Sequence, residues 1–380
     1  MGYSPAKIAE IVNGKIHGFG DIAIRILLTD SRRVVFAAST AFFALRTSKN
    51  DGHKYIPQLA EKGVRCFVVN SIPKQSHLDN SLIFIVVENT SDALQKLASF
   101  HRSRFSIPVI GITGSNGKTI IKEWLAQMLS IKYSVVRSPR SYNSQTGVPL
   151  SVWQMDETHQ MAVFEAGISR PGEMQKLAEI IQPDIGIFTN IGPAHDEGFT
   201  NREQKILEKL TLFEKSKSLI YRCDNIMLAD IIKKWKRSVP AISLHKWGAT
   251  AEADIKVAYT RKTPTESFVT IEHNSISQSF VIPFGDDASF ENVVHCIVLL
   301  ILQGFDSETI REGIALLQPV AMRMELKQAI NNCSIINDTY NSDVYSLGIA
   351  LDFLNSQVQY KNKALILSDI LQSGLPPEKL

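Results

Sequence analysis

Short apolar runs separated by amphipathic stretches set the pattern of this chain. Between residues 1 and 104 the runs Thr40-Ala-Phe-Phe-Ala-Leu45, Val64-Arg-Cys-Phe-Val-Val69 and Ile83-Phe-Ile-Val-Val87 have the length of buried strands. Residues 55–62 and 91–101 carry apolar positions at helical spacing, so this part predicts a small α/β module. The opening Met1-Gly-Tyr-Ser-Pro-Ala-Lys-Ile-Ala-Glu-Ile11 interleaves charges with apolar positions, which predicts an amphipathic helix and not a secretion signal. The polar stretch 101–108 reads as a linker.

From residue 109 the order becomes strand, loop, helix, strand (Tyr133-Ser-Val-Val-Arg137), helix, strand (Met161-Ala-Val-Phe-Glu-Ala166), helix, strand (Ile185-Gly-Ile-Phe-Thr-Asn190), helix, strand (Ser218-Leu-Ile-Tyr221). Such alternation predicts an α/β fold with a parallel sheet, helices on both faces and ligands at the carboxyl ends of the strands. Residues 252–283 change to a period of two and predict an antiparallel patch joined to that sheet, followed by a helix over 292–302. Near 327 a further unit begins with Ser334-Ile-Ile-Asn-Asp338, a helix through Leu347-Gly-Ile-Ala-Leu-Asp-Phe-Leu354 and the strand Lys363-Ala-Leu-Ile-Leu367. The expected division is 1–104, 105–326 and 327–380, the last being the start of a truncated α/β domain, since so few elements cannot bury a closed sheet.

Composition narrows the class. The 380 residues are 44% hydrophobic and 21% charged, with 41 basic and 38 acidic residues giving a net charge of +3. Nothing here resembles a nucleic-acid footprint, and no apolar run approaches the roughly 20 residues that span a bilayer. A cytoplasmic multidomain protein acting on small anions is expected. Cys66, Cys223, Cys296 and Cys333 stand far apart without a paired motif, which argues against zinc or a disulfide framework and for buried or inert thiols.

The chemistry lies after the strand beginning at Val109, where Gly111-Ile-Thr-Gly-Ser-Asn-Gly-Lys-Thr119 opens a helix. Glycines turn successive backbone N–H groups onto an anion, Lys118 adds a charge and the Thr119 hydroxyl can ligate Mg²⁺; the implied ligand is a nucleoside triphosphate. The spacing departs from the usual phosphate loop, with Ile112 where a glycine is expected. Glu165, at the end of the strand 161–164, should emerge at the same sheet edge and can hold Mg²⁺. His195 follows a Gly-Pro turn after the strand 185–190, and spacing alone leaves it open between a structural histidine and a ligand.

Together these segments carry a resemblance. The phosphate loop, Tyr142-Asn-Ser-Gln-Thr-Gly-Val-Pro149, Glu165-Ala-Gly-Ile-Ser-Arg-Pro-Gly-Glu173, Asn190-Ile-Gly-Pro-Ala-His-Asp-Glu-Gly-Phe199, Arg323-Met-Glu and Asn337-Asp-Thr-Tyr-Asn341 come in the order seen in Mur ligases. The resemblance covers nearly the whole chain and implies three domains: one binding a UDP-sugar, a central ATPase and a closing carboxy-terminal domain. It implies an ATP-dependent amide ligase in peptidoglycan precursor synthesis, with UDP-N-acetylmuramoyl-tripeptide and D-alanyl-D-alanine as the closest substrates. The tripeptide's terminal carboxylate would be phosphorylated and the dipeptide's amine would displace the phosphate.

Site residues follow from the same resemblance. Gly114, Asn116, Gly117, Lys118 and Thr119 would bind the phosphates of ATP, Thr119 and Glu165 one Mg²⁺ and His195 a second. Asn292 and His295 would lie at adenine, and Arg323 and Asp338 where the third domain meets ATP. Ser31 and Arg32 match the segment contacting the uridine nucleotide, with Asn143 as a further substrate contact. A lysine carbamylated by CO₂ is implied at Lys209, or less well at Lys205; the residues alone read Lys209 as an exposed lysine of a charged helix. Departures at Ile120, in the segment Ser141-Tyr-Asn143-Ser144, which keeps only one of the common asparagines, at Asp343-Val344 and in Ser368-Asp369-Ile370 resemble a lineage in which such a ligase is fused ahead of an alanine racemase. Two alternatives stand beside this reading: another Mur or folylpolyglutamate-type ligase, and a non-catalytic nucleotide-binding module of a fused enzyme.

Overall fold

The computed structural model describes residues 2–48, 50–73, 81–192, 198–263, 265–323, 325–331, 333–339, 344–356 and 362–368. The chain forms two compact units, one of Met1–Ser106, Tyr142–Thr158 and Glu179–Ile181, the other of Ile107–Ser141, His159–Ala178 and Gln182–Leu380.

In the first unit α1 (Pro5–Val12) is capped by the Ser4 hydroxyl, which accepts from the Lys7 N–H, and has proline in its first turn, a combination that fixes a helix start. Strands β1 (Lys15–His17), β2 (Ile26–Leu28), β3 (Thr40–Phe43), β4 (Cys66–Val69) and β5 (Ile83–Val86) form a sheet in the order β1-β5-β4-β3-β2, parallel except for β1 on β5. Helices α2 (Ile56–Glu61) and α3 (Thr90–Arg102) complete it, and apolar clusters cover both faces. Trp153 joins one of them and donates from its indole to the Arg25 carbonyl over 2.8 Å. Residues 142–158 thus belong to this unit although they interrupt the second in sequence, a discontinuity the linear reading lacks.

The second unit begins with β6 (Val109–Thr113) and α4 (Lys118–Leu129), then β7 (Val135–Arg137). After α5 (Gly147–Val152), which lies in the first unit, come β8 (Met161–Glu165), α6 (Glu173–Ile181), β9 (Ile185–Phe188), α7 (Arg202–Leu210), β10 (Ser218–Arg222), α8 (Ile226–Trp235) and β11 (Ser243–Gly248). Strands β12 (Ile255–Lys262), β13 (Ser267–His273) and β14 (Ile276–Ile282) follow, then α9 (Asp287–Leu302) and α10 (Ser307–Ala315). The nine-stranded order β14-β13-β12-β11-β10-β9-β6-β8-β7 is parallel from β7 to β12 and antiparallel across β12, β13 and β14, as the change of period predicted. The sequence reading passed over α8 and β11; β11 mixes Lys246 and His245 with apolar residues, and its strand character comes from parallel pairing with β10.

The core between sheet and helices is built on α4, α9 and α10, and α9 is buried all round from Val293 to Leu300, as a helix apolar on every face must be. Beyond it β15 (Glu325–Gln328) pairs antiparallel with β16 (Ser334–Asn337), and α11 (Val344–Ser356) follows. Cys66, Cys223 and Cys296 are buried as expected, whereas Cys333 is exposed in the turn joining β15 to β16. No helix among the described residues is long and apolar enough to cross a membrane.

Candidate nucleotide-binding site

Parallel pairing brings three strand ends level: Ile112 of β6 lies opposite Glu165 of β8, and Thr113 opposite Phe188 of β9. The loop after β6 therefore opens between the chain segments leaving β8 and β9, the central crevice of an open parallel sheet. Two glycines are required there. Gly114 has φ +146°, and a Cβ on it would come within 2.0 Å of Thr189 Oγ1; Gly117 has φ +81°, and a Cβ would meet Asn292 Oδ1 at 2.3 Å.

The loop is fastened to the segment after β9. The Ser115 N–H donates to the Asn190 carbonyl at 2.9 Å and the Asn116 N–H to Asn190 Oδ1 at 3.0 Å. Thr189 Oγ1 donates to the Asn116 carbonyl at 2.6 Å, and the Gly192 N–H to Ser115 Oγ at 2.9 Å. A loop held at this many points is ordered before any anion arrives. His195 lies outside the described residues.

Glu165 is fully buried and ends β8 beside the first turn of α4. Its Oε2 accepts from the Thr119 hydroxyl at 2.9 Å, while Oε1 has no hydrogen-bond partner and lies 3.8 Å from Lys122 Nζ. Burial pushes its carboxyl above the ordinary range, with Lys122, Lys118 and Thr119 pulling the other way. A buried carboxylate oxygen without a donor, next to a hydroxyl, is a donor pair suited to Mg²⁺. Among the described residues no three His, Cys, Asp or Glu side chains cluster as a metal site. The arrangement fits an ion that takes one or two protein ligands and fills its shell with phosphate oxygens and water.

Lys118 donates to the carbonyls of Gly114 at 2.9 Å and Ser115 at 2.7 Å. Lys209, in place of the exposed position its charged helix suggested, is 3% exposed and donates to the same Gly114 carbonyl at 3.0 Å. Lys205, one turn earlier on α7, is 1% exposed and donates to the Gly192 carbonyl at 2.7 Å. Burial, reinforced by Lys118 and Lys205, holds the Lys209 amine well below the usual lysine range.

Asn292 is buried against the loop, whereas His295 is a satisfied core histidine. Its Nδ1 accepts from the Trp247 indole at 3.1 Å, Nε2 lies 3.3 Å from the Thr189 carbonyl, and the rings meet edge to face. With both nitrogens engaged and no exposed surface, it supports the Thr189 segment from behind and offers adenine no ring nitrogen, a correction to the contact implied for it. Arg323 reaches Ser141 Oγ over 3.4 Å, and Asp338 is half-buried after β16.

In the first unit Ser31 is buried in a short turn and Arg32 is exposed, its guanidinium forked on Asp30 at 2.9 and 2.8 Å. That contact, above all the Arg32 side-chain hydrogen bond, holds the Asp30 carboxyl at about 2. Arg33, which the sequence reading did not single out, bonds the Tyr142 hydroxyl and so brings the turn to the half-buried Asn143 segment.

Two further residues at the phosphate loop were missed. Lys122 is fully buried and donates to the Ser138 carbonyl at 2.7 Å and to the Arg140 carbonyl, and it pairs with Glu123 at 2.8 Å. Ser141 contacts the Thr119 hydroxyl at 2.8 Å. The available signal for Lys122 was its spacing, one helical turn after Lys118 and on the same face.

The chain is similar to known proteins over nearly its whole length. The Mur ligase middle domain family matches residues 112–300. The UDP-N-acetylmuramoyl-tripeptide–D-alanyl-D-alanine ligase of Bacillus subtilis is 30% identical over 374 residues, spanning 97% of this chain and 79% of that protein. The enzyme of the same name from Borreliella burgdorferi is 31% identical over 341 residues, 86% and 70% of the two chains. In fold, MurF from Acinetobacter baumannii superposes with a TM-score of 0.86 at 24% identity over 98% of this chain and 80% of that one. MurF from Thermotoga maritima in complex with ADP does so at 0.73 and 25% identity over 87% and 75%. By this similarity over nearly its whole length, the chain belongs to the Mur ligase family, among the UDP-N-acetylmuramoyl-tripeptide–D-alanyl-D-alanine ligases.

Proposed function

We propose that this protein is an ATP-dependent ligase that joins D-alanyl-D-alanine to UDP-N-acetylmuramoyl-tripeptide in peptidoglycan precursor synthesis, working in the cytoplasm. The observation that carries the reading is the buried Glu165 carboxylate, which holds the hydroxyl of Thr119, the last residue of the phosphate loop, on one oxygen and leaves the other without a hydrogen-bond donor. Gly114, Asn116, Gly117 and Lys118 cradle the phosphates of ATP, Asn292 packs behind them, and Arg323 and Asp338 approach from the carboxy-terminal side. Thr119 and Glu165 would hold Mg²⁺, with His195 assigned to a second ion. Bound there, the metal offsets negative charge on the transferring phosphoryl group. Lys118 leaves the loop carbonyls to follow that charge as it moves.

The tripeptide carboxylate takes the γ-phosphoryl group of ATP and releases ADP, the dipeptide amine attacks the acyl carbon of the resulting acyl phosphate, and phosphate and a proton depart as the amide forms. Ser31, Arg32 and Asn143 are assigned to the UDP-sugar peptide. Lys209 is assigned the carbamate: burial weakens its hold on a proton, which favours the amine that attacks CO₂ and releases a proton as the carbamate anion forms. Lys205, bonded to the Gly192 carbonyl as Lys209 is to that of Gly114, is the alternative that fits the sequence register less well. A fused alanine racemase remains part of this reading only through the departures in sequence noted above.

The test is a ligation assay with ATP, UDP-N-acetylmuramoyl-tripeptide and D-alanyl-D-alanine, following phosphate release and the pentapeptide product together. Phosphate release matched by product supports the reading. Phosphate release without product when all three are present would mark a nucleotide-hydrolysing module instead.

A further inference from the structure

A hydroxyl carries one hydrogen and two lone pairs, and this count fixes a direction along four side chains of the second unit. The Thr119 hydrogen goes to Glu165 Oε2 at 2.9 Å. In the 2.8 Å contact between the Thr119 and Ser141 hydroxyls, Ser141 is therefore the donor. Its own oxygen accepts from Arg323 Nη2 at 3.4 Å. The chain runs from guanidinium to carboxylate, Arg323 to Ser141 to Thr119 to Glu165, and leaves Thr119 one lone pair.

Ser141 is placed there by construction. Arg140, just before it, adopts φ +50°, a left-handed conformation uncommon for a residue with a side chain. Lys122 holds the Arg140 carbonyl and the Ser138 carbonyl from a fully buried position, clamping that turn to α4.

We propose that Ser141 is a positioning residue of the nucleotide–metal site: it orients the Thr119 hydroxyl toward the divalent cation and links cation affinity to Arg323, on the segment leading into β15. The inference rests on the nucleotide reading given above. It sets a residue of the turn after β7 as the connection between the metal and the carboxy-terminal part of the chain.

The experiment measures Mn²⁺ binding by electron paramagnetic resonance on the full chain with ADP, and ADP binding without metal by calorimetry. Ser141→Ala should weaken Mn²⁺ binding in the ADP complex about three- to tenfold, the range of one neutral hydrogen bond, and leave metal-free ADP binding unchanged. Ser141→Thr, which keeps the hydroxyl, should restore it. Arg323→Ala should weaken Mn²⁺ binding less in the Ser141→Ala background than in the parent. Ser141→Gly serves the same comparison should Ser141→Ala not fold. Additive losses, failure of Ser141→Thr to restore, or an equal loss of metal-free ADP affinity would each overturn the proposal. A parent chain that binds no ADP with or without Mn²⁺ would overturn the nucleotide reading itself, a result separate from these.

Discussion

Lys118 and Lys209 meet on one acceptor: both side-chain nitrogens donate to the carbonyl oxygen of Gly114, at 2.9 and 3.0 Å. One comes from the helix after the phosphate loop and the other from α7, so two lysine nitrogens converge on one loop carbonyl at the place where phosphate charge is expected. Their surroundings differ: Lys118 is half-buried, while Lys209 is enclosed and loses much of its affinity for a proton.

Lys118→Ala should lower ligase turnover by at least about 10²-fold, the scale of losing a charge contact to the transition state. Steady-state kinetics with saturating substrates checks this; unchanged turnover would remove the phosphate loop from the mechanism.

Lys209→Ala should abolish ligation in a way that added bicarbonate does not repair, whereas Lys205→Ala should retain activity. Carbon-13 bicarbonate should give a carbamate resonance in the parent that is missing in Lys209→Ala. A resonance lost from Lys205→Ala and kept in Lys209→Ala would move the carbamate by one helical turn.

Gly114→Ala should lose ADP binding and some stability together. At φ +146° the added Cβ would lie 2.0 Å from Thr189 Oγ1, so either the loop or the Thr189 segment must move. A stability loss of about 1–3 kcal/mol is the scale of such backbone strain. Urea unfolding and calorimetry measure the two effects, and a variant that binds ADP like the parent would show the loop tolerating a side chain there.

Acid should weaken the fold partly through His295, whose burial lowers it from the ordinary 6.5 to about 3. The folded state binds fewer protons than the unfolded one across that interval, so stability is complete above pH 6.5 and falls as pH drops toward 3. His101, also lowered by burial, acts in the same direction. His295→Gln should be less stable at pH 7.5 but lose less between pH 7.5 and 5 than the parent. Parallel declines of the two proteins in urea unfolding would exclude His295 as a contributor.

The sequence by itself determined the alternation of strands and helices, the phosphate loop, and Glu165 as the carboxylate beside it. These are legible because strand length, turn chemistry and strand-end position are local, and a parallel sheet converts strand ends into one edge. Tertiary structure decided what depends on enclosure. Lys209 and Lys122 read as ordinary lysines of charged or amphipathic helices until packing removes their water and turns them onto carbonyls of a distant segment. His295 stood in a segment matched to adenine contact, and only the indole of Trp247 and the carbonyl of Thr189 show that both its nitrogens are engaged. The return of residues 142–158 to the first unit has the same cause: Trp153 looks like any apolar residue along the chain, and its place is set by the core of the first unit, where Tyr3 and His101, 150 and 52 residues earlier, receive its ring.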